Sequence, residues 1–136
     1  MAPLTLRCPD CGRSIQAEVG QFAGHGRLVW SLAYACPDCG ACIEADDSGE
    51  PPAEIRAAIL AHEGEWGLHI EVGGAAVIKA IQVLRNVLHL SLADAARLKR
   101  QVPGVVVTGT KTEMRHLADQ LAAEEVPATV ARMEIP

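Results

Sequence analysis

Four of the five cysteines stand in two copies of one pentapeptide, Cys8-Pro9-Asp10-Cys11-Gly12 and Cys36-Pro37-Asp38-Cys39-Gly40. A Cys-x-x-Cys turn presents two thiolates from one tight knuckle. Two such knuckles supply the four soft ligands that a tetrahedral zinc ion takes. The pairs are separated by 24 residues, 12 to 35, enough chain for a β-hairpin between them. A glycine follows each second cysteine, where the turn asks for a permissive backbone. Cys8, Cys11, Cys36 and Cys39 therefore predict a zinc ribbon with one structural Zn²⁺ per chain. Cysteine can also ligate iron–sulfur clusters, but the symmetric pairing favours zinc. Four protein ligands close the coordination sphere and leave no position for a reactive water, so metal-assisted hydrolysis is not expected.

Cys42 is the surplus cysteine and extends the second knuckle to C-x-x-C-x-x-C. It is a candidate substitute for Cys39, a free thiol, or a small buried residue. No other grouping suggests chemistry. His62, His69, His89 and His116 fall on separate segments, and His25 falls at the expected tip of the hairpin, far from the knuckles. Gly73-Gly74 reads as a turn and not as a phosphate-cradling loop. No catalytic residue is assigned, and the chain is read as a non-enzyme.

The overall charge is −5, and the excess acid is concentrated early. Residues 1–50 hold Arg7, Arg13 and Arg27 against Asp10, Glu18, Asp38, Glu44, Asp46, Asp47 and Glu50. Four zinc-bound thiolates add a further net −2. Affinity for nucleic acid rests on phosphate neutralisation by Lys and Arg, so this half argues against the common nucleic-acid role of a ribbon. Aromatic residues are only 3% of the chain (Phe22, Trp30, Tyr34, Trp66), which leaves an aliphatic core and makes a metal staple valuable in so small a fold. No stretch approaches a membrane span. The start, MAPLTLRCPD, has no apolar run after its basic residue. The expected location is the cytoplasm, where thiols stay reduced and bind metals.

Composition changes near residue 46, where ADDSGEPP (45–52) brings turn and breaker residues. The expected organisation is a ribbon over 1–46, a linker with a short helix over 47–63, and an α+β domain over 64–136. In the ribbon, Ser14–Val19 alternates and Arg27–Ala35 is rich in strand formers, so a hairpin between the knuckles is expected. Pro52–His62 reads as the short helix. Trp66–Val72 alternates, with Trp66, Leu68, Ile70 and Val72 on one face. Ala75–Leu88 and Ser91–Gln101 read as helices, the second capped by Ser91. Val105–Val107 is a strand, Lys111–Ala123 a helix and Pro127–Met133 a last strand. The order is β-α-α-β-α-β, with helices on one face of a small sheet.

Within this half, the run Ile81-Gln82-Val83-Leu84-Arg85-Asn86-Val87-Leu88-His89-Leu90-Ser91-Leu92-Ala93-Asp94-Ala95-Ala96 aligns without gaps to the pattern I-K-x-V-R-x-x-T-G-L-G-L-K-E-A-K. Leu98, Pro103, Gly109, Leu117 and Leu121 continue the match, with one residue missing between Gly109 and the third helix. Residues 66 to about 133, half of the chain, thus resemble the C-terminal domain of the bacterial ribosomal stalk protein. That resemblance implies the same β-α-α-β-α-β fold and a surface that recruits translation GTPases. The departures are specific. The family's lysines fall on Val77, Gln82, Ala93 and Ala96, and only Arg85 keeps its charge. Its glycine near the end of the third helix is Glu125, and its dimerising N-terminal helices are replaced by the ribbon. A protease-adaptor family shares the fold, so fold alone does not assign function.

The helix over Ala75–Leu88 is nearly apolar all round, with Lys79, Gln82, Arg85 and Asn86 as its polar stripe. Excess apolar surface marks a partner site. Ile78, Ile81 and Arg85, spaced three and four apart, are the expected partner-binding residues. The leading functional expectation is a non-enzymatic zinc-binding adaptor for a protein partner, with translation as its first setting. The alternative is an immunity or peptide-binding accessory protein. Neither reading involves nucleic acid or a membrane.

Overall fold

The computed structural model describes residues 1–24 and 26–133, so His25 lies outside the described residues. Among these, four helices and two antiparallel sheets form a mixed α+β structure. No helix among them is long and apolar enough to cross a membrane. The chain divides into two compact units, residues 1–64 and 65–136.

The first unit holds β1 (Ala2–Arg7), β2 (Ser14–Gly24), β3 (Arg27–Ala35), β4 (Cys42–Ser48) and α1 (Ala53–Glu63). The four strands run in sequence order across one sheet. The expected hairpin is thus only its centre, and a further strand pairs on each side. One face is built by alternation. Ala2, Ile15, Ala17 and Val19 are buried, and Leu4, Leu6, Trp30, Leu32 and Tyr34 are half-buried. Ile55 and Ile59, one helical turn apart on α1, bury against Ala2 and Val19. Each such side chain contributes roughly 1.5–3 kcal/mol when taken out of water. This corrects the linker expected over 47–63. β4 continues to Ser48, and α1 is the cover of the sheet's own core.

The second unit holds β5 (Trp66–Ile70), α2 (Ala75–Leu88), α3 (Leu92–Lys99), β6 (Gly104–Gly109), α4 (Lys111–Ala123) and β7 (Thr129–Arg132). The element order is the one expected, and β5 is the central strand of β6-β5-β7. Leu68 and Ile70 from β5 meet Ala80 and Leu84 from α2, and Met114, Leu117 and Leu121 from α4. Leu68 pairs with Val107 and His69 with Val105, so Val106 is an extra residue on β6; its side chain joins the core. Local signals agree with the elements. Ser91 accepts from the Asp94 N–H at the start of α3, and Thr110 and Glu113 form a reciprocal capping box on α4. α4 ends with Glu125 N–H donating to Ala122 O and Val126 N–H to Leu121 O. In this closing motif the residue in Glu125's place is left-handed and is usually glycine. Glu125 indeed has φ of 61°.

Candidate metal centre

The two cysteine knuckles are the connections between antiparallel neighbours, β1 to β2 and β3 to β4. Both connections lie at the same end of the sheet, because β2 turns into β3 at the other end. The β2–β3 pairing therefore brings together two knuckles whose first cysteines, Cys8 and Cys36, stand 28 positions apart in the chain. Their backbones repeat. Cys8 N–H donates to Arg13 O and Gly12 N–H to Cys8 O. Cys36 N–H donates to Ala41 O and Gly40 N–H to Cys36 O. The two glycines have φ of 76° and 77°, a conformation that glycine adopts without steric cost.

The Sγ atoms of Cys8, Cys11, Cys36 and Cys39 all lie within 4.8 Å of one another. Cys8 and Cys39 are 3.6 Å apart, as are Cys11 and Cys36. A tetrahedral ion bonded to four sulfurs at about 2.3 Å holds them about 3.8 Å apart, so the spacing fits a metal ion. Cys8 and Cys36 are buried, with Ile15 between Leu6, Tyr34 and Ala41 packed beneath them; Cys11 and Cys39 are exposed.

Electrostatics point the same way. The backbone N–H of Cys39, with that of Asp38, stabilises the Cys36 thiolate and draws it down to about 7 against the effect of burial. The Ala41 N–H favours a thiolate at Cys39 as well, but desolvation and the neighbouring sulfurs outweigh it and push that thiol up to about 12. Cys11 is raised too: the Arg13 N–H favours its thiolate, but desolvation and hydrogen bonds to Cys36 and Cys8 prevail. One thiolate forms at its neighbours' expense. A cation among the four removes that conflict, since it favours ionisation of all of them. Burial and the charges of Cys8 and Asp10 raise Tyr34 in the same field. Arg13 and Asp38 bridge the knuckles at 3.9 Å, but both are well exposed and the pair contributes little.

Cys42 is not part of the cluster. The repeat explains why. Arg7 pairs with Ser14 across the first knuckle, and Ala35 pairs with Cys42 across the second. Cys42 is the counterpart of Ser14, an exposed strand residue beyond the turn. The contribution of Leu6, Ile15 and Tyr34 as the floor of the centre was not evident from cysteine spacing.

The expected partner residues do not share one exposed surface. Ile78 is 54% exposed and Arg85 is exposed, but Ile81 retains only 9%. Helical geometry gives the reason. Ile78 and Arg85, seven apart, lie about 20° from one another round the helix, whereas Ile81 is turned about 60° from Ile78. That turn carries it toward Ala80 and Leu84, the residues that face the core. In a comparison with known proteins, no family model, curated protein or solved structure matches the chain.

Proposed function

We propose that this chain is a non-enzymatic adaptor in which a structural zinc ion fixes the first unit and the α2–α3 pair of the second unit docks an acidic, amphipathic segment of a protein partner. Zinc is favoured because all four ligands are thiolates in a closed set, a common structural zinc site with no open position for chemistry. Metal analysis of the purified chain tests this half of the proposal: one equivalent of zinc supports it, and less than about half an equivalent, with four reactive thiols, overturns it.

The observation that carries the docking surface is the coincidence of exposed apolar and basic side chains. Among the described residues of the second unit, the exposed large hydrophobics are Ile78, Leu88 and Leu92, all on α2 and α3. The same stretch, residues 75–100, carries Lys79, Arg85, Arg97, Lys99 and Arg100, all exposed, against Asp94 alone. Apolar anchors beside arginines are common at interface hot spots, and the charge sets the sign of the partner. The resemblance to the ribosomal stalk domain makes translation the first setting to examine.

The test compares the native chain with an Ile78→Asp, Leu92→Asp variant in capture from native cells. The reading is supported by a partner that the native chain retains, that raised salt releases, and that the variant loses while staying folded. Recovery of the same partners by the variant overturns it.

A further inference from the structure

The metal centre has a second property in the way its sulfurs are paired and exposed. The two contacts of 3.6 Å each join one knuckle to the other, Cys8 to Cys39 and Cys11 to Cys36. Each contact also couples one exposed cysteine to one buried one. Cys39 and Cys11 face water, while Cys8 and Cys36 retain 1% and 3% of their surface. We propose that the centre is a reversible oxidation site, at which a hydroperoxide converts the four thiolates into the cross-knuckle disulfides Cys8–Cys39 and Cys11–Cys36 and releases the metal. This inference rests on the metal reading above.

The chemistry follows from access and order. A hydroperoxide approaching from solvent meets Cys11 or Cys39 first. The thiolate sulfur attacks the near peroxide oxygen, the O–O bond breaks, and the sulfur becomes a sulfenic acid while the hydroxide or alkoxide leaves and takes a proton from solvent. The buried sulfur 3.6 Å away then attacks the sulfenic sulfur. The S–S bond forms, the S–O bond breaks, and the hydroxide leaves as water after taking a proton. For each pair, two thiolates, one hydrogen peroxide and two protons from solvent give one disulfide and two waters. The first disulfide already removes two of the four ligands. The immediate neighbour also intercepts the sulfenic acid before a second oxidant carries it to the irreversible sulfinic state.

Pairing across the knuckles has a structural consequence. Bonds within a knuckle, Cys8–Cys11 and Cys36–Cys39, would leave the two turns untied once the metal has gone. The cross pairs span 31 and 25 residues and keep the end of β1 tied to the start of β4. The disulfides then replace the ion as the link between the turns, and the oxidised sheet stays assembled for reduction and reloading.

The test uses the full zinc-loaded chain carrying Cys42→Ser, which removes an exposed thiol outside the cluster. Zinc content is measured before any oxidant is added; a chain without zinc overturns the metal reading and this one with it. Hydrogen peroxide is then added stepwise. Zinc is followed with a chromogenic chelator, and disulfides are mapped by mass spectrometry. The expected result is zinc release with the first equivalent or two of peroxide, bonds between 8 and 39 and between 11 and 36, and full rebinding after a thiol reductant. Zinc bound at the outset but retained under a tenfold excess of peroxide would overturn this inference alone. So would bonds between 8 and 11 and between 36 and 39, or sulfinic acids that no reductant reverses.

Discussion

Gly12 and Gly40 hold the same left-handed backbone, φ 76° and 77°, and each donates its N–H to the carbonyl of the first cysteine of its knuckle. A Cβ at either position meets no heavy atom within 4 Å. Substitution by alanine is therefore a backbone effect alone, costing about 1–2 kcal/mol. Gly12→Ala and Gly40→Ala should each weaken metal binding by a similar factor, on the order of tenfold, and Asn should be milder because it tolerates this conformation. Chelator competition measures both. A large loss at one knuckle and none at the other would show that the repeat is not an energetic one.

Cys36→Ser should remove the metal, and the damage should run through Gly64. The cluster under the knuckles is small, with Ile15 the buried residue beside Cys8 and Cys36 themselves, while structural zinc in small domains is worth about 10–16 kcal/mol of apparent binding energy. The knuckles sit on the sheet that α1 covers, so α1 should lose its protection together with the strands. Amide exchange should show residues 1–64 unprotected and the second unit still protected. Cys42→Ser, outside the cluster, should change neither. Retained protection over α1 in Cys36→Ser would separate that helix from the metal-dependent structure.

Metal binding should weaken as the pH falls. All four sulfurs bind as thiolates, so every thiol still protonated in the metal-free chain must release its proton. Cys11 lies above the ordinary thiol range and Cys39 at about 12, so both are protonated at neutral pH; Cys36, at about 7, is partly ionised there. At least the first two protons are expelled on binding. By linkage the apparent affinity should rise about a hundredfold or more per pH unit between roughly 6 and 8. Chelator competition across that range measures the slope, and an affinity independent of pH would contradict the assignment.

The four-cysteine cluster, a group able to hold a metal ion, was legible in the sequence because such a cluster depends on residue type and short-range spacing, and both are explicit in a repeated Cys-x-x-Cys-Gly. The second unit was legible because its helices and central strand carry clean periodicity and caps, such as Ser91. β1 was not recognised, although Ala2, Leu4 and Leu6 alternate, because the run is short and contains Pro3. β4 was hidden for a stronger reason. Its sequence, CIEADDS, is acidic and a poor strand former, and it is a strand because β3 pairs with it in register from Ala35–Cys42 to Val29–Ser48. Tertiary pairing overrode local propensity. The helix expected over Pro52–His62 is present as α1, but the same failure assigned it to a linker, since its role depends on the face that Ile55 and Ile59 find.

Translation GTPases should bind the native chain weakly. Of the four positions where the stalk family's lysines fall, Val77 is half-buried but Gln82, Ala93 and Ala96 are exposed, so charge can be restored at these three without disturbing the core. Each exposed ionic contact is worth only about 0–1 kcal/mol, but together they also accelerate encounter. Gln82→Lys, Ala93→Lys and Ala96→Lys combined should strengthen binding to an elongation GTPase, chiefly through a faster and salt-sensitive association rate. Tight binding by the native chain would show instead that Arg85 and the α3 basic residues already suffice.

Ile78 and Ile81 should respond in opposite ways to the same substitution. Ile78 is 54% exposed and Ile81 is 9% exposed. Aspartate at Ile81 places an ionised carboxylate where its water is stripped away, and the domain should lose several kcal/mol because burial of an unpaired charge is uncompensated. Aspartate at Ile78 stays in water and should change stability by no more than about 0.5 kcal/mol. Binding should divide the other way. Ile78→Asp removes an apolar anchor and puts a negative charge on the α2 face that an acidic partner would have to approach, so the partner would be repelled. Ile81→Asp should affect binding only in proportion to the fraction unfolded. Thermal unfolding and partner binding measured on both variants decide the matter. A folded Ile78→Asp chain that binds its partner normally would remove the α2 ridge from the interface, whatever Ile81→Asp does.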